Sequence, residues 1–270
     1  MNIMYMGQKP IGEICFKHII DMKDNRLNVS AVVSNQNTDT WWRTNNIYQY
    51  AINHKIYFID NRKRNTDIIK KTIVENHIDC IISVGHNWIV SEEILELVGY
   101  NAVNLHLAKL PQYQGNYTYN HAILNNEKEY GVTLHWMGKE VDEGNYLFMK
   151  TFPIEDDDTA YSLYMKSLEK GKEVFAAYLH ILLDGGDMPK CAMVGNRCFY
   201  SKNSLDGLRE IKNCADVEEI KRKSRAFYFP PFENAYFVID ETKYYVVPEI
   251  KSGYEIKNYS NNKCIGENCI

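Results

Sequence analysis

The stretch DCIISVGHNWIVSEEILELVGYNAVNLH, residues 79–106, decides the fold of this 270-residue chain. It opens with a nearly continuous apolar run at residues 79–85, which is typical of a parallel strand covered by helices on both faces. A helical segment follows, with Ser91 at the N-cap position, and a second apolar run at residues 102–106 completes a β-α-β unit. Such a unit predicts two parallel strands of one sheet, joined by a right-handed crossover.

Strand and helix patterns alternate outward from this unit over most of the chain. Apolar runs at residues 2–6 and 28–34 predict strands, and apolar residues at helical spacing between them predict a helix. The alternation predicts a Rossmann-like α/β fold, with a mostly parallel sheet flanked by helices. From about residue 185 the chain is rich in loops, and the runs YFVI and KYYVV flank a short turn like a hairpin. We therefore expect a main domain at residues 1–186 and a small, mainly β subdomain at residues 187–270.

Composition narrows the classes of function. The formal net charge is −4, so no overall positive field attracts nucleic acid or acidic membranes. The N-terminal residues lack the pattern of a signal peptide, and no apolar run is long enough to cross a membrane. The seven cysteines form no CxxC pair and no zinc-type spacing, which indicates reduced thiols in a cytoplasm. We expect a cytoplasmic protein that binds no metal, no nucleic acid and no membrane.

Two polar residues, Asn104 and His106, interrupt the second apolar run. Side chains on a strand alternate between faces, so these two point the same way, at the carboxyl end of the strand where open α/β sheets bind ligands. On its own, such a pair is more often a buried polar pair that satisfies its hydrogen bonds within the fold. Asp142 lies in a VDEG turn after a strand that carries His135, and a single aspartate in a turn usually serves the turn itself. Neither motif alone indicates a reaction.

Together, the motifs are similar to those of a known family. NLHLAKLPQYQG at residues 104–115, followed by GVTLHWM at 131–137 and VDEG at 141–144, closely resembles the 10-formyltetrahydrofolate-dependent formyltransferases. The resemblance implies the formyltransferase fold, with residues 1–186 as the catalytic domain. It also implies N10-formyltetrahydrofolate as the co-substrate, and no metal.

The resemblance places Asn104, His106 and Asp142 at the catalytic positions, and their chemistry suits formyl transfer. A primary amine attacks the formyl carbon, and the carbonyl oxygen becomes an oxyanion to which the Asn104 amide can donate a hydrogen bond. His106 can accept the proton of the amine, or stabilise the oxyanion when it is charged. Asp142 is the candidate to orient His106 and tune its protonation. Lys109 stands where the family commonly has an apolar residue, and we expect this departure to affect a loop and not the chemistry.

The same resemblance implies a site for the folate co-substrate on two loops. In the family, the loop after the fourth strand and the loop before the catalytic aspartate wrap the pterin, largely with backbone groups. The predicted co-substrate contacts are Gly85, His86, Asn87, Trp88, Ile89, Gly138, Lys139 and Val141. Core packing is an equal alternative for Trp88 and Ile89.

The region after residue 186 indicates which amine accepts the formyl group. Methionyl-tRNA formyltransferases carry a larger, basic C-terminal domain for tRNA, whereas this tail is short and aromatic and the chain is acidic. That combination resembles the sugar N-formyltransferases. It implies a dTDP- or UDP-linked dideoxy or trideoxy amino sugar as substrate, a role in surface glycan or lipopolysaccharide biosynthesis, and a homodimer. The alternatives are a methionyl-tRNA formyltransferase-like enzyme and a non-catalytic ligand-binding relative.

Two segments are candidates to bind this substrate. The first β-α turn carries polar residues next to the predicted site, although a lysine in a turn is more often simply solvated. The segment RAFYFPPF offers a cation for phosphate and aromatic rings for a pyrimidine base. The predicted substrate contacts are Gln8, Lys9, Gln114, Arg225, Tyr228 and Phe229. For the aromatic residues, a small hydrophobic core or a dimer contact is the competing interpretation.

Overall fold

The computed structural model of the protein describes residues 1–36, 46–63 and 65–249. Its strands are β1 (Asn2–Gly7), β2 (Asn28–Ser34), β3 (Tyr57–Asp60), β4 (Cys80–Val84), β5 (Ala102–His106), β6 (Gln114–Gly115), β7 (Glu129–Trp136), β8 (Tyr146–Pro153), β9 (Phe199–Tyr200), β10 (Ala235–Ile239) and β11 (Thr242–Val246). Its α-helices are α1 (Lys9–Met22), α2 (Asn46–Asn53), α3 (Thr66–Glu75), α4 (Glu92–Leu97), α5 (Thr118–Leu124), α6 (Ala160–Asp184) and α7 (Val217–Phe227). Within these ranges, no helix combines the length and the apolar character needed to cross a bilayer.

A seven-stranded sheet with the order β3-β2-β1-β4-β5-β7-β8 forms the centre of the fold. Strands β1 to β5 pair in parallel, whereas β7 pairs antiparallel with β5 and with β8. The prediction of a mostly parallel sheet flanked by helices is therefore confirmed. The strand order reverses between β1 and β4, and open α/β sheets bind ligands outside the carboxyl ends of the strands at such a point.

The sheet is buried on both faces, because side chains alternate along each strand. Ile3 and Tyr5 of β1 face one core together with α1 and α6. Met4 and Met6 of the same strand face a second core with α3 and α4. All four side chains are fully buried, and each such burial contributes about 1.5–3 kcal/mol. Coverage of both faces explains why the strand runs in the sequence are continuously apolar.

The segment after α6 shares a core with the region before it. Tyr113 and Leu163 pack in a third cluster together with Leu205 and Phe227. The division of the chain at residue 186 stays a prediction, and the part of the predicted subdomain from residue 250 onward lies outside the described residues.

The C-terminal hairpin expected from the sequence is present. β10 and β11 pair antiparallel, with Ala235 opposite Val246 and Ile239 opposite Thr242. The turn consists of Asp240 and Glu241, with φ values of 46° and 62°. Two successive residues with positive φ match the twist of a tight hairpin.

Candidate active site

Asn104 and His106 lie on β5, which ends at His106. Val103 and Leu105 belong to the first core, so the two polar residues point to the opposite face of the sheet, as the alternation predicts. Both are only partly buried. They are therefore accessible at the carboxyl end of the parallel strands, on the strand that pairs directly with β4.

Hydrogen bonding determines which ring nitrogen of His106 can accept a proton. Nε2 lies 2.8 Å from the backbone carbonyl oxygen of Tyr113, and because a carbonyl only accepts, Nε2 carries a proton and donates it. Nδ1 is the nitrogen that can accept a proton in the neutral ring. It lies 3.7 Å from Oδ1 of Asp142, so an imidazolium formed at His106 faces a carboxylate.

Asp142 is held in place by the turn that follows β5. It has a left-handed φ of 52°, a conformation in which aspartate is enriched relative to most residues. Its Oδ2 accepts a hydrogen bond from the backbone N–H of Gly115 at 3.1 Å. Its backbone carbonyl accepts one from the Gln114 side-chain amide at 2.9 Å. Gln114 thus has a structural contact within the site, and its contact with substrate stays a prediction.

The carboxyl group of Asp142 is ionised despite its burial. Burial alone would raise its pKa, but interactions with His106 and His135 and the N–H of Gly115 together hold that pKa well below its usual range. The side chain is only 9% exposed, so solvent screens these interactions little. At neutral pH the site therefore contains a negative charge beside His106.

The three residues predicted to be catalytic thus lie together, and two unpredicted residues join them. Ser83 Oγ donates to Oδ1 of Asn104 at 2.9 Å, and Nε2 of His135 lies 3.1 Å from Nδ2 of Asn104. The sequence contains a signal for Ser83, which is the one hydroxyl in the buried run CIISV. Within the described ranges, no group of three or more His, Cys, Asp and Glu side chains is placed to hold a metal ion.

Gly85 and His86 begin the loop that the sequence assigns to the co-substrate. Gly85 has a φ of 63°, and a Cβ there would lie 2.5 Å from the backbone oxygen of Gln8. Both ring nitrogens of His86 are buried without a hydrogen-bond partner among the described residues. Burial lowers the pKa of His86 to about 4. Its neutral ring therefore has one donor and one acceptor that no described residue satisfies, and its contact with a folate stays a prediction.

The close approach of Gly85 to the first β-α turn makes a testable prediction about stability. Gly85→Ala places a side chain in a left-handed conformation, at a cost of about 1–2 kcal/mol, and adds the clash with the Gln8 carbonyl. Gly99→Ala is the matched control, because Gly99 has a φ of 58° and nothing within 4 Å of its Cβ position. Denaturant unfolding should give the larger loss for Gly85→Ala. Equal losses would contradict this packing.

In the loop after β4, Trp88 packs against the core, whereas Asn87 and Ile89 are exposed to solvent. Trp88 donates from Nε1 to Oδ1 of Asn61 and packs against the second core, which agrees with its packing interpretation. Ile89 is 66% exposed, so the packing alternative is wrong for Ile89. Asn87 is also exposed. Asn87 and Ile89 are therefore accessible to a ligand, whereas Trp88 anchors the loop on the second core.

The second predicted loop lies over the start of α4. Lys139 forms an ion pair with Glu92, with Nζ 3.2 Å from Oε2. Val141 is 37% exposed, and Gly138 is partly buried. Their contact with a folate stays a prediction.

Gln8 and Lys9 lie where the strand order reverses. Gln8 is 3% exposed, and its Nε2 donates to Oδ1 of Asn35 at 2.6 Å. Its Oε1 is buried without a partner in the described part of the chain. Lys9 is partly buried, and loss of solvent lowers the pKa of its ammonium. The first β-α turn therefore carries an unused acceptor and a poorly solvated cation.

The aromatic segment at the end of α7 packs against the start of α6. Nη1 of Arg225 donates to the Asp158 carbonyl at 2.9 Å. The carbonyl of Tyr228 accepts from the Tyr161 N–H at 3.1 Å, and Phe229 lies edge-on to Tyr161 with ring centroids 5.5 Å apart. These contacts favour the interpretation as a hydrophobic core. A contact of this segment with substrate stays a prediction.

Residues 189–200 cross the turns that follow β5 and β7, which no local sequence pattern indicates. The backbone N–H of Gln114 donates to the Cys198 carbonyl at 3.0 Å. Arg197 forms an ion pair with Glu143, the residue after Asp142, the candidate catalytic aspartate. The segment therefore links the turn after β5 to the turn after β7.

Proteins similar to this chain transfer formyl groups to different amines. A GDP-perosamine N-formyltransferase from Brucella melitensis is 32% identical over 168 residues, which cover 62% of this chain and 64% of that protein. A methionyl-tRNA formyltransferase from Caldanaerobacter subterraneus is 34% identical over 136 residues, which cover 50% of this chain and 44% of that protein. This chain thus spans less than two thirds of either relative.

A solved structure and a family model cover more of the chain. The structure is an N-formyltransferase from Helicobacter canadensis in complex with folinic acid and dTDP-3-aminofucose. It is 25% identical and has a TM-score of 0.71, and the match covers 90% of this chain and 85% of that one. The model of the formyl transferase family matches residues 3–179, a range that contains the seven-stranded sheet except for Asn2, and all three candidate catalytic residues. The chain belongs to the formyl transferase family.

Proposed function

We propose that the protein transfers a formyl group from N10-formyltetrahydrofolate to the primary amine of a dTDP- or UDP-linked dideoxy or trideoxy amino sugar. The observation that carries this proposal is the grouping of Asn104, His106 and Asp142, in which an amide, an open ring nitrogen and a charged carboxylate lie together. The relatives from Brucella and Helicobacter support an amino sugar, because GDP-perosamine and dTDP-3-aminofucose are both nucleotide-linked amino sugars.

The chain supplies the groups that handle charge and protons, and formyltetrahydrofolate supplies the formyl carbon. Asn104 donates an N–H to the formyl oxygen, which becomes negative as the amine nitrogen bonds to carbon. His106 accepts the proton of the attacking amine at Nδ1, and returns it to the departing folate nitrogen as the carbon–nitrogen bond breaks. Asp142 stabilises the imidazolium between the two transfers.

The two substrates are assigned to different loops around these residues. We place the folate against the loops of Gly85–Ile89 and Gly138–Val141, where both nitrogens of the neutral His86 ring are buried without a partner among the described residues. We place the nucleotide sugar at the first β-α turn, where Lys9 stands at the start of α1. The start of a helix favours anions, so a diphosphate would compensate the poorly solvated Lys9 ammonium.

A panel of acceptors tests the proposed reaction. Purified protein and N10-formyltetrahydrofolate are mixed with dTDP-, UDP- or GDP-linked amino sugars, or with methionyl-tRNA, and the release of tetrahydrofolate is followed. We expect release with at least one dTDP- or UDP-linked amino sugar and none with methionyl-tRNA. Release with methionyl-tRNA alone would overturn the choice of substrate, and release with the GDP-linked sugar alone would correct the nucleotide.

We also propose that the protein acts as a homodimer in the cytoplasm, in the biosynthesis of a surface glycan such as lipopolysaccharide. Support for a dimer comes from the C-terminal hairpin, where Val238, Ile239 and Tyr245 are 45%, 49% and 47% exposed. Large exposed apolar groups in one element are typical of an interaction surface. Sedimentation as a monomer at working concentrations would contradict the dimer.

A further inference from the structure

Ser83, Asn104 and His135 form a row of polar side chains across three neighbouring strands, β4, β5 and β7. In the strand register Ser83 is opposite Asn104, and Asn104 is opposite His135. Residues directly opposite each other point to the same face of a sheet, so the three side chains lie side by side. Ser83 and His135 are each 2% exposed, whereas Asn104 is only partly buried.

The hydrogen bonds along this row have one consistent assignment of protons when the His135 ring is neutral. Nδ1 of His135 lies 2.9 Å from the Trp136 carbonyl oxygen, so Nδ1 carries the proton and Nε2 is an acceptor. Nδ2 of Asn104 lies 3.1 Å from that Nε2 and donates one of its two protons to it. At the other end of the amide, Oδ1 accepts from the Ser83 hydroxyl at 2.9 Å.

These two bonds determine the direction of the second N–H of Asn104. An amide rotated by half a turn would point Oδ1 at the lone pair on His135 Nε2 and lose that bond, although Nδ2 could then donate to the Ser83 hydroxyl. The histidine acceptor therefore selects the orientation, and the serine hydroxyl adds a second bond that holds the amide in it. A donor that is oriented before the oxyanion forms stabilises it most, because no reorganisation is needed during the reaction.

We propose that Ser83 is a positioning residue for formyl transfer, which acts through Asn104 by holding its amide with one N–H directed at the reacting carbonyl, while His135 holds the other side. The inference rests on the proposed function, since it assumes that Asn104 is the oxyanion donor. Ser83 itself contacts no reacting atom. Its effect is therefore expected on the chemical step and not on the binding of either substrate.

A double-mutant cycle separates positioning from a general structural role. Ser83→Ala is expected to lower kcat about tenfold, the effect of one hydrogen bond in the transition state, with the KM of both substrates unchanged within about twofold. In the Asn104→Ala background the same substitution should change kcat by less than about twofold, because the group it positions is gone. Ser167→Ala is the matched control, since Ser167 is also buried and donates to the Leu163 carbonyl at 2.7 Å. It should lower Tm without lowering kcat.

The outcomes distinguish this inference from the proposed function. A tenfold loss that persists in the Asn104→Ala background would show that Ser83 acts through the fold, and would overturn the inference alone. Wild-type kcat in Ser83→Ala would do the same. Wild-type turnover in Asn104→Ala would overturn the assignment of Asn104 as oxyanion donor, and the inference with it.

Discussion

Replacing His106 with alanine is expected to lower kcat by about 10²–10⁴-fold, the range for loss of a positioned general base. The physical reason is the arrangement of the ring nitrogens. Nε2 is occupied by the Tyr113 carbonyl at 2.8 Å, so Nδ1 is the nitrogen left to move a proton. Tetrahydrofolate release under saturating substrates measures the loss.

The alanine variant also loses the bond to Tyr113, which helps to hold the turn after β5. His106→Gln is the control, because glutamine Nε2 can still donate to that carbonyl while it provides no basic nitrogen. A catalytic role predicts a similar loss of kcat in both variants and partial recovery of the alanine variant on addition of imidazole. Near-normal turnover in a folded His106→Gln protein would contradict the role.

Replacing Asp142 with asparagine is expected to lower kcat by about 10²–10³-fold. Asparagine keeps the shape and tolerates the φ of 52°, but removes the negative charge 3.7 Å from His106 Nδ1. At that distance and an effective dielectric constant of about 20, the attraction between carboxylate and imidazolium is about 4 kcal/mol. This corresponds to at most about 10³ in rate. A loss below about threefold would show that Asp142 does not stabilise the charged ring.

The same substitution should change the pH dependence of stability. The pKa of Asp142 is held below its usual range in the folded protein, so Asp142 contributes stability above its unfolded pKa of about 4, and that contribution is lost as the pH falls through the folded pKa. Between about pH 5 and about pH 3, the free energy of unfolding should fall more steeply for the wild type than for Asp142→Asn. Parallel curves from denaturant unfolding would contradict the lowered pKa.

The fold was predictable from sequence because its cause is local. A strand covered on both faces requires a continuous apolar run, as at residues 80–84, and a helix packed on it requires apolar residues at helical spacing. The antiparallel direction of β7 was not predictable, since it depends on how the chain between β5 and β7 folds back. The hairpin of β10 and β11 was predictable from two apolar runs separated by a short turn.

The candidate site was predictable only in part. The alternation of one strand places Asn104 beside His106, and the resemblance to a family adds Asp142. Ser83 became part of the site through the register between β4 and β5, which is set by long-range pairing and not by local pattern. For the same reason, the path of residues 189–200 across the turns that follow β5 and β7 had no signal in a loop-rich segment. Arg225 and Phe229 were predicted from residue type alone, and their packing against α6 depends on tertiary contacts.

One measurement tests the central claim most directly. The protein is incubated with formyltetrahydrofolate that carries ¹³C in the formyl group and with the amino sugar nucleotide that gives the fastest release in the acceptor panel. The account predicts a ¹³C formamide signal on the sugar nitrogen for the wild type, and a formation rate lower by about 10²–10⁴-fold for His106→Gln. Labelled carbon found only as free formate, or equal rates of formamide formation by the two proteins, would contradict it.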